Sequence, residues 1–480
     1  MVTQGAPRAP TSQDTARPDG ADPWGERLPR RLGLFSAVAV LVGSTIGSGI
    51  FRTPAVIAGH VTVGWQFALV WIVGGAVALA GALTLAELAA AFPRSGGTYV
   101  YIREAFGRLP AFLFGWAQLL ILRPSSYGAI SITSSEYLWR VLGRDGATEL
   151  ALFWSFAPQG VTVAQGTAAL MIIAVGLINI RGVHLGAWVQ NLTTVLKVFA
   201  LLALVVLGLV MVASHPVDIP APPVDPEAPP SGSLAAFGVA TIAVLWAYDG
   251  WSDAGFVSGE VRDPQRVLPR AFILGTAGVV ALYLAANYVY ITVVGLSDMP
   301  GSKLVAADVA AALLGPVGVT LIAGAVMVST FGTLNGTMMT GPRVFFAMAE
   351  DRLFFQRIAR VHPVHGTPAA AIMLSVCLGI VFVSIRDFAQ LADGFVIGIW
   401  PFYILAVAAV LRLRRRRPEL PRPYRTWGYP VVPLLFLVAS VGLLTNYAVT
   451  QPGTFFANLG VILAGVPVYL LWTRRARASA

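Results

Sequence analysis

The sequence predicts an all-α polytopic membrane protein of twelve transmembrane helices, and three observations carry that prediction. Runs of roughly 20 apolar residues, the length that crosses a bilayer as a helix, recur from Leu32 to Trp472. Of 480 residues, 56% are hydrophobic and only 12% charged, with mean hydropathy +0.73; soluble domains carry about twice that charged fraction. Arginines cluster in alternate connections: Arg27, Arg30 and Arg31, then Arg94, Arg103 and Arg108, then Arg181, then Arg262, Arg266 and Arg270. The same side continues with Arg343 to Arg360, Arg412 to Arg425, and Arg474 to Arg477. By the positive-inside rule that side is cytoplasmic, both termini lie on it, and the span count is even. The net charge of +10 then needs no nucleic-acid partner, and the expected location is the cell (inner or plasma) membrane.

Residues 1–30, rich in Pro, Ala, Gly and Asp, read as a disordered cytoplasmic tail rather than a signal peptide. Span 1 runs from Leu32 to about Ala58 and is interrupted by GSTIGSGIF, Gly43 to Phe51, with three glycines and three hydroxyl residues. Glycine costs roughly 1 kcal/mol against alanine in a helix, and irregular backbone at membrane depth survives only inside protein or beside a wet cavity. A break here turns the amides of Gly47, Ser48 and Gly49 into the positive start of a second half-helix, a site for a carboxylate. Thr45, Ile46, Gly47, Ser48 and Gly49 are all candidate substrate contacts; the alternative is that small residues merely let helices pack closely.

Span 2, about Trp65 to Ala91, ends in a polar, glycine-bearing segment with a short amphipathic stretch, expected on the membrane surface, and Glu87 is expected to pair with a loop arginine. Span 3, Leu109 to Leu138, contains LLILRPSS; Arg123 lies deep enough to face a cavity or an ionic partner, and Ser126 is counted with it. Span 4 is about Val161 to Ile180. Span 5, about Trp188 to Val212, carries Lys197, one of only two lysines among 33 basic residues. Compactness and an adjustable protonation state set ammonium apart from guanidinium. A buried Lys197 can stand where a sodium ion would otherwise sit or shuttle a proton; an interfacial, snorkelling lysine is the plainer reading.

Span 6, Leu234 to about Val257, holds WAYDGWSD, where Asp249 and Gly250 interrupt the helix in mid-membrane. The carbonyls of Trp246, Ala247 and Tyr248 then form a negative helix end suited to an ammonium group. Broken helices 1 and 6 are five spans apart, and an odd offset makes the second unit enter the membrane in the opposite direction. The expected organisation is a 5+5 inverted repeat, residues 31–214 and 234–416, joined by a Pro-rich outer loop (215–233) and followed by two further spans (417–473) and a cytoplasmic tail (474–480). A zwitterion fits between the breaks, its side chain read by spans 3, 8 and 10. Trp246 and Tyr248 are aromatic cover, with Trp246 either a gate or ordinary core.

After span 6, Glu260 in GEVRDPQRVLPRA pairs with arginines across an inner gate or lies in a solvated loop. Span 7 is about Ala271 to Gly295, and a short Ala-rich helical piece is expected in the outer loop Ser297 to Leu314. Span 8, Val317 to about Met348, carries Asn335 in GTLNGTMMTGPR as pocket wall or polar glue. Spans 9 and 10 are about Pro368 to Ser384 and Phe388 to Leu411; spans 11 and 12, about Pro430 to Val449 and Phe455 to Trp472, have almost no intramembrane polarity and read as scaffold or homodimer face. The single cysteine, Cys377, allows no internal disulfide and is expected to be packed. No HExxH, Ser-His-Asp cluster, phosphate loop or charged pore ring points to an enzyme or channel, and no cofactor or metal site is expected.

GSTIGSGIF, LLILRPSS, LTTVLKVFALLAL, AYDGW with GEVRDPQRVLPRA, and GTLNGTMMTGPRVFFAMAEDRL, in this order and spacing from about Arg31 to Trp472, resemble the L-type amino acid transporter family of the amino acid, polyamine and organocation superfamily. The resemblance implies a twelve-helix leucine-transporter-like fold and sodium-independent movement of amino acids by alternating access, as exchanger or uniporter. It implies that Ser48 and Gly49 bind the substrate carboxylate, Ile46 and the Trp246 to Asp249 backbone take the amine, and Lys197 occupies the place of a sodium ion. Two departures stand out. Asp249 replaces a small residue and favours cationic substrates or a proton, so that a proton-coupled amino acid or polyamine permease is the alternative. Eukaryotic members join a glycoprotein through a cysteine between spans 3 and 4; Arg140 to Gln159 has none, so a prokaryotic protein without a disulfide-linked subunit is expected, in contact with membrane lipid and its substrate.

Overall fold

Hydrocarbon offers the backbone no hydrogen-bond partners, so each span satisfies its own as helix, and the exceptions mark protein-lined cavities. The computed structural model describes residues 28–61, 63–144, 149–150, 161–214, 234–302, 304–385 and 388–478. The tail up to residue 27, the Pro-rich loop 215–233 and the last two residues of the C-terminal tail lie outside the described residues.

Span 1 is two helices, α1 (Leu34–Thr45) and α2 (Gly49–Ala58), and span 2 is α3 (Gly64–Ala91). The amphipathic stretch after span 2 is α4 (Thr98–Phe106); rather than lying free at a surface, most of it is buried, against the helices that follow it and the end of span 10. Span 3 is α5 (Arg108–Ala117), a π-helical turn (Gln118–Leu122) and α6 (Arg123–Val141). A two-residue ladder, β1 (Glu149–Leu150) with β2 (Val161–Thr162), leads to α7 (Val163–Ile180) and α8 (Val183–Ser214), spans 4 and 5. Span 6 is α9 (Leu234–Tyr248) followed by short 3-10 turns at Asp253–Gly255 and Ser258–Glu260. α10 (Pro264–Val294) is span 7; α11 (Val305–Glu350) joins the outer-loop helix to span 8 through Gly315, whose φ of 62° breaks the helix. α12 (Ala369–Ile385), α13 (Phe388–Arg416), α14 (Val431–Thr450), α15 (Pro452–Leu463) and α16 (Gly465–Ala478) complete spans 9 to 12.

Among the described residues nine segments are long and apolar enough to cross a membrane by themselves, while α9 and α12 are apolar but shorter. Span 3 is not among these nine: α6 carries Arg123, Glu136, Arg140 and six serine or threonine residues, and it is buried from Arg123 to Ser135 against α11, α12, α7 and α13. It is the pillar beside which the broken helices stand.

Two expectations are refined. Glu87 accepts from Arg414 at 2.9 and 2.6 Å and lies 3.3 Å from Arg422, so a helix-end arginine joins the loop one. Cys377 is exposed on the lipid side of α12 rather than packed, because the inward stripe of that helix falls on Ile372, Ser375, Val376 and Gly379.

Candidate functional site

The break in span 1 is pinned from both flanks. α1 ends at Thr45, Ile46 turns out of helix (φ −76°, ψ 83°), and α2 begins at Gly49. Lys197 of α8, 1% exposed, donates to the Gly43 carbonyl (2.9 Å), the Ile46 carbonyl (2.7 Å), the Ser329 carbonyl (2.7 Å) and Thr333 Oγ1 (2.9 Å). Ser329 and Thr333 also donate to the Ile46 carbonyl, each at 3.0 Å, so that oxygen is fully engaged and turned from the cavity. α8 reaches this close because position 43 is glycine: a Cβ there would lie 2.0 Å from Gln190 Nε2. On the other flank the Tyr283 hydroxyl donates to the Thr45 carbonyl at 3.0 Å.

The free amides differ by one residue from expectation. Gly47 N–H folds back onto the Thr45 carbonyl at 2.8 Å, closing a tight turn. The N–H groups of Ser48, Gly49 and Ile50, at the start of α2, have no protein acceptor among the described residues. They are the orphan donors every helix start leaves.

The break in span 6 meets that of span 1 directly. α9 ends at Tyr248 and the chain turns through Gly250, whose φ of 108° is costly for any residue with a Cβ. A Cβ at Gly250 would lie 2.7 Å from the Thr45 nitrogen, and one at Gly49 2.6 Å from the Ala247 Cα. The Trp246 carbonyl accepts from Asp249 N–H at 3.2 Å, whereas no donor among the described residues reaches the carbonyls of Ala247 and Tyr248.

Between the breaks and α6 lies a cavity. Ser44, Thr45, Gly47, Ser48 and Gly49 form one wall, and Gln118, Arg123, Ser126 and Ile130 the facing one. Trp246, Asp249, Gly250, Asp253 and Phe256 supply the third, with Thr333 and Thr337 of α11 and Phe395, Ile399 and Tyr403 of α13 closing it. Arg123 donates to Gln118 Oε1 (2.9 Å) and Thr340 Oγ1 (3.1 Å), lies 3.9 Å from Asp253 and stands 5.0 Å over the Phe256 ring. Asp249 accepts from the Tyr403 hydroxyl at 2.7 Å. Trp246 meets Phe395 edge-on, ring centres 5.3 Å apart.

Of the candidates read from sequence, Thr45, Gly47, Ser48, Gly49, Arg123, Ser126, Trp246 and Asp249 come together on this cavity. Ile46 and Lys197 lie behind its wall. Tyr248 turns to the Trp71 carbonyl (3.3 Å) and packs among Trp71 and Tyr283; with Ala247 it contributes backbone at the break and no cavity wall. Asn335 is polar glue rather than pocket wall: it donates to the Gly186 carbonyl and Gln190 and accepts from Asn179, tying α7, α8 and α11. Asp253, Tyr403, Gln118 and Phe395 are cavity residues that the sequence reading missed. Asp253, four residues after Asp249 in WAYDGWSD, had a helical-spacing signal; Tyr403, one aromatic in an apolar run, had none.

On the arginine-rich face the cavity is sealed in depth. Arg30 donates to the carbonyls of Val261 (3.0 Å), Pro93 (3.2 Å) and Ser258 (3.4 Å), and the amides of Arg31 and Leu32 to that of Glu260. Glu260, 0% exposed, makes a two-pronged pair with Arg343 of α11 at 2.8 and 3.1 Å, not with the arginines of its own segment. Beside this, α4 is tied to the end of α11 through Tyr99 and Arg103 on Asp351.

Residues 32–468 match the model of a family described as Amino acid permease. Similar curated proteins include the serine/threonine exchanger SteT of Bacillus subtilis, 32% identical over 445 residues (92% of this chain, 96% of that protein). The human b(0,+)-type amino acid transporter 1 is 30% identical over 456 residues (94% and 89%), and the human large neutral amino acids transporter small subunit 2 is 30% identical over 462 (95% and 83%).

Proposed function

The chain belongs to the amino acid permease family, within the L-type transporter branch of the amino acid, polyamine and organocation superfamily, and from that premise we propose a sodium-independent amino acid transporter that works by alternating access. In this reading the orphan amides of Ser48 and Gly49 hold the substrate carboxylate, and the carbonyl end of α9 takes the amine. The observation that carries the sodium independence is Lys197. Its ammonium sits among three carbonyls and a hydroxyl at 2.7 to 2.9 Å, a shell of hard oxygens of the kind that holds a small cation. A cation attached to the chain cannot arrive and leave with each cycle, so the site needs none from solution.

The cavity wall is rich in hydroxyls, Ser44, Thr45, Ser48, Ser126, Thr333 and Thr337, and holds two carboxylates, Asp249 and Asp253, against one guanidinium. Arg123 and Asp253 offset each other, and Asp249 is held by the neutral Tyr403 hydroxyl. That balance favours polar and cationic amino acids over acidic ones. The same Asp249 supports the second reading, a proton-linked permease, because a carboxylate in the cavity can carry a proton instead of facing a cationic side chain. We also infer that the chain works without a disulfide-linked subunit, since its one cysteine is on α12.

Uptake of radiolabelled neutral, cationic and acidic amino acids into liposomes, with and without internal amino acid and with sodium absent, tests the proposal. Uptake that needs internal substrate supports exchange; uptake into empty vesicles that collapses with the proton gradient supports the second reading. Strict dependence on sodium would overturn the role given to Lys197.

A further inference from the structure

The two ends of the cavity are closed very differently. The arginine-rich end is held by the buried Glu260–Arg343 pair, by Arg30 on three carbonyls, and by a bridge between Leu32 and Val261. Towards the other end, α2 and α6 diverge from the cavity they both line. α2 packs mainly on α9 and the Met299–Gly301 turn and more lightly on α11, while α6 packs on α11, α12, α7 and α13. Arg52 of α2 spans them: it meets Glu136 of α6 at 2.6 Å and lies beside Tyr137 of the same helix.

Position decides what this pair does. Arg52 lies one turn beyond Gly49, and Glu136 lies six residues beyond Ile130, roughly 9 Å further along the helix at 1.5 Å per residue. Gly49 and Ile130 line the cavity on opposite walls, so the pair bridges its mouth one layer above it. Arg52 also stands 5.8 Å from the Tyr137 ring centre, with Arg140 at 5.7 Å, which keeps its guanidinium directed across the gap. Both side chains are partly exposed, 25% and 44%, so water can replace the bond at small cost, unlike the pair at the arginine-rich end, which is 1% and 0% exposed.

We propose that Arg52 and Glu136 form the latch of the cavity mouth opposite the arginine-rich face, an ion pair that must part for substrate to enter or leave on that side. The inference rests on the alternating-access reading, but its test can be read without transport. In a Cys377→Ser background, Ser126→Cys places a thiol on the cavity wall, and its rate of modification by a membrane-impermeant thiol reagent on intact cells reports how often the mouth is open. Glu136→Gln is expected to raise that rate several-fold, and Arg52→Gln to do the same. The charge exchange Arg52→Glu with Glu136→Arg is expected to return it towards the parent value, which also shows that the single variants had not merely unfolded. Unchanged rates in both single variants, or an exchange variant that labels as fast as they do, would overturn the latch. Absence of amino acid uptake by the unmutated protein, with this labelling pattern intact, would refute transport and leave the latch standing.

Discussion

Replacing Lys197 by Met keeps the length and apolar stem of the side chain and removes only the ammonium. Three protons are lost to four acceptors, yet the acceptors are not all orphaned. Thr333 Oγ1 stays 3.0 Å from the carbonyls of Gly43, Ile46 and Ser329, and Ser329 Oγ stays on Ile46. One hydroxyl proton cannot serve three oxygens at once, so the loss amounts to one or two charge-assisted bonds at about 1.5–3 kcal/mol each, offset in part by no longer burying a charge. A net loss of about 2–4 kcal/mol falls on the arrangement in which the span 1 break is held open, and at about 1.4 kcal/mol per decade transport should fall roughly 30- to 1000-fold. The assay is initial uptake into proteoliposomes at matched protein content, with thermal stability in detergent as a control. Lys197→Arg should fail as well, because a planar fork does not fit a closed shell built around a compact cation. Full transport by the Met variant would refute the reasoning.

Gly49→Ala should already abolish transport and Gly49→Leu more surely, because the new Cβ meets Ala247 backbone 2.6 Å away; substrate binding by scintillation proximity should disappear with it. Glu260→Gln should lower thermal stability in detergent by an amount matching about 3–5 kcal/mol, the usual cost of leaving a buried charge without its partner, and Glu260→Leu combined with Arg343→Met should recover much of it. Asp249→Asn should shift competition profiles from cationic towards neutral amino acids, while Tyr403→Phe, which leaves the carboxylate in place, should change them less. In α4, burial pushes the Glu104 carboxyl up, but hydrogen bonds from Arg103 (2.8 Å) and Arg417 (2.9 Å) outweigh it and hold the carboxyl below the usual range. Its contribution is therefore present above the unfolded carboxylate range and fades as pH falls through the lowered value. Melting in detergent followed from pH 7 down to pH 3 should lose less with Glu104→Gln than with the parent protein.

The helix breaks were legible because they violate a local rule. Glycines and hydroxyls in mid-span, and an Asp-Gly pair in another, contradict helix propensity where nothing but function repays it. Lys197 was legible through usage, as the lysine of an apolar span in a chain with only two lysines among 33 basic residues. What stayed hidden depends on which way a group faces after packing. Ile46 has the right position in the motif, but its carbonyl is turned to Lys197. Asn335 lies in a motif of pocket residues, yet its amide is consumed by Gln190 and Asn179 on neighbouring helices. Tyr403 is one aromatic among many until α13 packs beside α9. The π-helical turn before Arg123, which shifts that helix by a fraction of a turn, has no sequence signature in Gln118 to Leu122.

The proposed place of Lys197 has a consequence for how the cycle is driven. A sodium ion at such a site binds in one state and leaves in another, so its gradient biases the direction of movement. A tethered ammonium contributes the same attraction to the Gly43 and Ile46 carbonyls in every turn of the cycle and so biases neither direction. In the proposed mechanism the free energy that draws the two breaks together over a substrate then comes from the substrate itself, through the carboxylate proposed to bind at the start of α2 and the amine proposed to bind at the end of α9. An empty carrier lacks both contacts and faces the buried Glu260–Arg343 pair with nothing to offset parting it, whereas a loaded one does not. Fast movement when loaded and slow return when empty is the kinetic pattern of exchange, and the sealed arginine-rich end is where it would be imposed. Weakening that end alone, by Glu260→Gln, which leaves Arg343 buried without its charge partner, should therefore speed the empty return and convert trans-stimulated exchange towards uniport. Trans-stimulation left at the parent ratio in that variant would move the rate-limiting barrier away from this pair.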